Sequence, residues 1–397
     1  MIHPTKLLSF LLLAGLLPKI HAQTEQPMFT ITHDNHKQYQ QHLTAGQIAL
    51  FNTYPDSFKM PVYASRKSHK EPDWVTANTQ TNIKTAKLNE AGTGFTGAHA
   101  GIPFGEPESA LEVYFNHIAR WRGKQLVTHA SDANVGEDGE FQLTSRESLI
   151  RFDYYLENND NPNRLFSALS KITAPATKAG GGGLVLEPID QIEEARNAWL
   201  WDKGRRRVVR APNVAYDQPV NSASGLRTAD DTDIINGSPD RFDWQLLEQR
   251  EIYIPYNNQK LTSKQLSFTD ILKPGHINPE HTRYELHKVW VIRATLKSEW
   301  RHLYSQRDFY IDADSWSAVI ADQYDKQGQL FRVSLSYLNQ DDNLPGTFPV
   351  INVYHDLNSK RYHVMGLQNE SNKSNDYNSE LAKSNMFTSN GLKRFVK

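Results

Sequence analysis

The chain has 397 residues, a formal net charge of −1, 38% hydrophobic and 22% charged residues, and no cysteine. That near-neutral balance excludes a protein that concentrates nucleic acid or an anionic membrane by its field. The missing cysteines exclude disulfides and a cysteine-linked lipid anchor, so stability must come from a packed core.

Residues 1–22 read as a secretory signal, with Lys6 in the positive region, an apolar stretch over 7–17 and Ile20-His21-Ala22 as the cleavage site. The stretch is shorter than the roughly 20 residues a membrane span needs. An exported chain without an anchor is expected in the periplasm of a Gram-negative cell, with extracellular release as the alternative.

Residues 23–105 are polar and rich in Thr, Asn, Gly and Pro, and are expected to form an irregular N-terminal extension with short helices. Thr44 and Gln47 have capping-box spacing, which predicts a helix over 44–54 ended by Pro55. Leu111, Tyr114, Phe115, Ile118 and Trp121 recur at helical spacing and predict an amphipathic helix over 108–121. Strands are expected at 124–130, 140–144, 148–155, 164–173 and 184–187. The glycines at 180–183 lack the Lys-Ser or Lys-Thr of a phosphate loop and predict a bulge or a close backbone approach. Residues 198–202 and 205–210 read as a hairpin turning at Lys203-Gly204. A long Asp-, Pro- and Gly-rich excursion then separates it from a strand at 250–256.

The segment 284–338 reads as four consecutive antiparallel strands. In the first, Tyr284, Leu286, Trp290, Ile292, Ala294 and Leu296 share one face and Glu285, His287, Arg293 and Thr295 the other. This period of two predicts one buried and one wetted face. The last strand alternates Phe331, Val333, Leu335 and Tyr337 with Arg332, Ser334 and Ser336. From Gln368 the chain turns Ser-, Asn- and Lys-rich, and residues 368–397 are expected to be a flexible tail.

Two segments, Ala198-Trp-Leu-Trp-Asp-Lys-Gly-Arg-Arg-Arg-Val-Val-Arg210 and Arg307-Asp-Phe-Tyr-Ile-Asp-Ala-Asp-Ser-Trp316, the latter continuing to Ala321-Asp-Gln-Tyr-Asp-Lys-Gln-Gly328, resemble the lipoprotein-sorting fold of LolA and LolB. The region from about 27 to 368 is similar to a large family of Gram-negative periplasmic proteins related to that fold, without an established reaction. Ser224-Gly-Leu-Arg-Thr-Ala-Asp-Asp-Thr-Asp233, Asn236-Gly-Ser-Pro-Asp-Arg241 and His281-Thr-Arg-Tyr-Glu-Leu-His287 look like its signature segments. The resemblance implies a half-open barrel with helices plugging its mouth and a cavity for acyl chains. It also implies work beside a proton-driven inner-membrane exporter and an outer-membrane partner. The segment before Phe29 is shorter here than the family pattern, which bears on any docking role of that segment.

The densest basic run is Arg205, Arg206, Arg207 and Arg210. Guanidinium forks there could hold a lipid headgroup or an acidic partner surface, and a solvated sheet face is the plainer explanation. Asp231 and Asp233, in the loop 230–243, could offer oxygens to calcium, but the spacing is not that of an EF-hand and its distal glutamate is missing. Turns pairing locally with Arg227 and Arg241 explain the same acids. His276, His281 and His287 form a loose cluster whose spacing suits no single helix or strand face. Neither His-Glu-x-x-His nor Gly-x-Ser-x-Gly occurs. Trp199, Trp201, Tyr253, Trp290, Phe309 and Phe331 are sheet aromatics of which some are expected to line a ligand cavity beside Arg205 and Arg207, and the rest to pack the core.

The sequence thus predicts an α+β fold, with one curved, half-open antiparallel barrel of about eleven strands over residues 106–367 and helices covering its mouth. The leading function is a periplasmic carrier or adaptor for a lipid or other hydrophobic molecule, with no cofactor and no nucleic acid. A non-enzymatic envelope scaffold is the alternative, followed by a hydrolase using a carboxylate pair within 230–243.

Overall fold

The computed structural model describes residues 25–397 except 69, 160, 212–215, 342–343 and 378–382; the expected signal lies outside the described residues. The N-terminal part contains β1 (Phe29–Ile31), α1 (Ala45–Thr53), β2 (Met60–Val62), α2 (Asp73–Thr85), the small pair β3 (Lys87–Leu88) and β4 (Phe95–Thr96), and α3 (Ala110–Ala119). Then come β5 (Gln125–Val135), β6 (Phe141–Arg151), β7 (Arg164–Ala174), β8 (Gly182–Pro188), β9 (Asn197–Asp202) and β10 (Arg207–Arg210). The second half holds β11 (Phe242–Pro255), α4 (Phe268–Ile271), β12 (Tyr284–Leu296), β13 (Gln306–Asp312), β14 (Ala318–Tyr324), β15 (Leu330–Asp341), β16 (Leu344–Asp356), β17 (Arg361–Leu367) and α5 (Ser389–Val396).

Fifteen of these strands form one sheet, more than the eleven or so expected. Two of the predicted strands, 140–144 and 148–155, are the single strand β6, and the N-terminal segment adds β1 and β2 beside β12. The strands β5–β10 run outward as a meander to β10, and β11–β17 run back until β17 pairs with β5. β10 and β11 each have a single neighbour in the sheet, so it curves without closing. The later part of the connection between them, residues 216–241, packs with α3 against one face, placing Ile234 and Ile235 in the same core as Val113, Phe115, Ile292 and Phe309.

The sheet is covered on both faces, which corrects the expectation of one wetted face on β12. Val289 and Val291 lie in a core with Leu50 and Phe51 of α1, while Ile292 and Ala294 lie in the core under α3. Glu285 and His287, expected in water, are 0% and 7% exposed because residues 25–68 cross that face. The capping box on α1 is present, Thr44 accepting from the Gln47 N–H at 3.1 Å, and Ser109 with Glu112 makes another on α3. The polar tail contains α5, whose Leu392 and Val396 pack on Leu169 and Leu184 of the β5–β9 arm. Gly182 allows this, since a Cβ there would strike Val396 and the Ser170 carbonyl.

Candidate functional site

Where β17 leaves β5, the register slips between Val364 and Leu367, and residues 125–130 of β5 lose that neighbour. Residues 368–377 cross the gap as a strap. Val127 and Asp376 exchange both backbone hydrogen bonds, at 2.8 and 2.9 Å, and Lys264 Nζ donates to the carbonyls of Gln368 and Ser371. Beneath the strap lies a cavity of about 800 Å³, within the range of small-molecule sites.

Its floor is the paired faces of β5 and β6, where Thr128 opposes Ser148 and Ala130 opposes Arg146. These small side chains leave space that larger neighbours wall in. Leu126, Ile150, Phe348 and Met365 are partly exposed apolar walls, and Phe152 closes one end. From Phe152 to Arg146 the groove follows six residues of chain, about 20 Å at a strand's rise.

The two ends differ in charge. At one, Arg146 pairs with Asp132, whose Oδ1 also accepts from the Gly366 N–H at 3.4 Å. At the other, Arg122 lies over the Phe152 ring, 4.8 Å from its centroid. Its Nη1 donates to Asp233 at 2.9 Å and its Nη2 to the Ile118 carbonyl at 3.1 Å. Arg120, 1% exposed, donates to both oxygens of the same Asp233, at 2.7 and 2.8 Å. Asp233 and Ile234 hold φ of 58° and 70°, left-handed values that non-glycine residues adopt at a cost of about 1–3 kcal/mol each. That kink presents the carboxylate to both guanidinium groups. Burial and the neighbouring Arg120 lower the Arg122 guanidinium to about 10, and burial holds the nearby His117 imidazole at about 3. Arg122 therefore stays cationic and His117 neutral near pH 7.

The residues singled out in the sequence are dispersed. Trp199 and Trp201 pack beside α5. Arg205 and Arg207 are exposed in the hairpin that ends the sheet, Arg205 facing Asp202 at 3.7 Å. Tyr253 packs against Phe29, Tyr39 and His42, Trp290 stacks on Trp316, and buried Phe309 stacks on Trp244. Phe331 sits beside Tyr304 and lines a separate open groove with residues 217–219 and 301–303. None of these eight lines the cavity beneath the strap. The signal that could have found it is Thr128 and Ala130 at alternate positions of one expected strand, with Ser148 on another.

The acidic loop is engaged internally. Asp230 accepts from His302 at 3.0 Å and Thr228 at 2.6 Å and lies 3.1 Å from Arg307. Asp231 accepts from Tyr304 at 2.7 Å and Gln323 at 3.0 Å. Asp231 and Asp233 thus serve different clusters, and among the described residues no group of three or more His, Asp or Glu is arranged for a metal. Burial would raise the Asp230 carboxyl, but Arg307 and His302 outweigh it and hold it well below the carboxylate range, the opposite of a general acid. His276 bonds Ser57 at 2.9 Å and His287 meets Glu285 at 3.2 Å, so the loose histidine cluster is not one site. Among the described residues, no helix is long and apolar enough to cross a membrane.

Comparison with known proteins gives matches in sequence and in fold. The family described as "Protein of unknown function (DUF1329)" matches residues 30–393. The uncharacterized protein PA3922 of Pseudomonas aeruginosa is 42% identical over 374 residues, covering 93% of this chain and 82% of its own. A Vibrio parahaemolyticus domain named for outer membrane lipoprotein sorting is similar at a TM-score of 0.49 and 13% identity, over 72% of this chain and 98% of that one. A DUF1329 family protein from Desulfovibrio piger is similar at 0.46 and 13%, over 70% and 95%, and a LolA superfamily protein from Nitrosomonas europaea at 0.41 and 15%, over 71% and 98%. On the two sequence matches, which span nearly the whole described chain, the protein belongs to the DUF1329 family.

Proposed function

We propose that this protein is a periplasmic carrier that holds a lipid or other hydrophobic molecule beneath the strap. The single observation that carries the reading is the elongated cavity itself. It is a strap-covered groove of about 800 Å³ along which Leu126, Ile150, Phe348 and Met365 remain partly exposed. Each methylene covered there contributes about 0.8 kcal/mol, so an acyl tail can be held without polar chemistry. The expected export signal supports a place between two membranes, where the carrier would work beside an inner-membrane exporter and an outer-membrane protein.

Native mass spectrometry of the mature protein, purified from periplasm without detergent and incubated with envelope lipid extract, tests this. The expected result is a stoichiometric lipid adduct that Ile150→Asp combined with Met365→Asp removes. A clean apo mass for the wild type overturns the reading.

The exposed basic hairpin favours a second reading, an envelope scaffold that docks an acidic partner on Arg205, Arg206 and Arg207. Replacing the three arginines by glutamate would abolish co-purification of that partner, and unchanged co-purification removes this reading.

A further inference from the structure

The groove has an excess of positive charge at its Phe152 end. Arg120 and Arg122 share one carboxylate, Asp233. The next carboxylate, Glu187, is taken by Arg196 through contacts of 2.6 and 3.0 Å. His117 approaches Asp233 to 3.9 Å but is neutral, so it neither adds to nor offsets the charge. One guanidinium charge therefore lacks a counter-charge in a largely dry place, an arrangement that is costly unless an anion completes it. The Nε of Arg122 is buried without a hydrogen-bond partner, and Arg122 and Phe152 both belong to the cavity lining.

The remaining charges of the lining do not offer a second such place. Arg146 pairs with Asp132 at the far end, with Arg227 near it behind the lining, and Lys264 donates to the strap carbonyls at the rim. Asp376, also in the lining, belongs to the strap.

We propose that the molecule carried in this groove has an anionic head, a carboxylate or a phosphate monoester, seated against Arg122 beside Phe152, with its tail running along β5 and β6 toward Arg146. A guanidinium fork suits both heads, since each presents paired oxygens to parallel N–H donors. The inference rests on the carrier reading above and deepens it by naming the class of cargo. It also gives the cargo a direction, with the tail lying over the small side chains of Thr128, Ala130 and Ser148.

The test is displacement of Nile red from the full mature protein by three molecules of one chain length, hexadecanoate, hexadecyl phosphate and hexadecanol. An acid or phosphate that displaces at roughly ten-fold lower concentration than the alcohol is expected, the size of one charge-assisted hydrogen bond. Arg122→Met should erase that ratio, and Arg122→Lys should keep part of it. Whichever anion is stronger tells a fatty-acid source from a lipid bearing a phosphate monoester. Equal displacement by all three in the wild type overturns the anionic seat and leaves the carrier reading standing. Displacement by none of them overturns both. Should Arg122→Met not fold, the wild-type ratio and its loss with added salt decide the matter.

Discussion

The Thr44 hydroxyl both caps α1 and donates to the Asp322 carboxylate on β14 at 3.3 Å, so the helix start is bonded directly to the sheet beneath it. Asp322 is 0% exposed and also accepts from Tyr310 at 3.2 Å. Burial raises its carboxyl from 3.8 to about 7, with the Gly46 N–H and the two hydroxyls opposing the shift. A raised carboxyl stabilises the fold fully below 3.8 and loses that contribution as pH rises toward 7. Asp322→Asn is therefore expected to flatten the fall in melting temperature between pH 4.5 and 7.5, relative to wild type. An unchanged slope would show that Asp322 does not titrate in this window.

His287 predicts a second loss of stability, at higher pH. Burial alone would lower the imidazole, but its hydrogen bonds to the Asp312 and Glu285 carboxylates raise it from 6.5 to about 9, and the ring stacks on Tyr256 at 4.1 Å. Its contribution is fully present below 6.5 and is lost as pH rises through 9. His287→Gln should lower stability at pH 7 and remove most of the wild-type loss between pH 8 and 10. Denaturant midpoints at those pH values measure it.

The Asp230–Arg307 contact, both side chains nearly inaccessible, ties the 216–241 connection to β13. Removing one partner strands a buried charge and costs about 3–5 kcal/mol. Asp230→Ala should unfold or severely destabilise the protein, and Arg307→Leu combined with Asp230→Leu should recover much of the loss. Calcium should shift neither the wild-type nor the variant melting curve.

Ser109 closes the first turn of α3, accepting from the Glu112 N–H at 3.3 Å. The same helix carries Arg120 and Arg122 just past its end. Ser109→Ala is expected to cost about 1 kcal/mol of stability by urea titration. Nile red affinity should change little, because the Asp233 contacts hold the two arginines independently.

The strand meander, the helices at 44–54 and 108–121 and the hairpin over 198–210 were legible because each is written in neighbouring residues, although the hairpin turns over four residues, 203–206, and not at Lys203-Gly204 alone. Alternation along 330–338, Thr44 with Gln47, and an acidic and glycine turn are all local signals. The faces were less legible. On β12 the chemistry of Glu285 and His287 pointed to water, and only the crossing of residues 25–68 put that face inside. Large aromatics fill space, and the groove beneath the strap lies where Thr128, Ala130 and Ser148 leave room, while Phe331 lines a different groove.

What the sequence determined by itself was the kind of protein: a cysteine-free chain of antiparallel strands with a covering helix, near neutral, without a nucleophile motif. Local periodicity and composition suffice for that, since they depend on each residue and its near neighbours. Only the tertiary structure decided that Arg120 and Arg122 share Asp233 from more than a hundred residues away, and that the gap between β5 and β17 opens into a groove. Charge balance and empty volume are properties of what surrounds a side chain, and long-range strand order sets those surroundings.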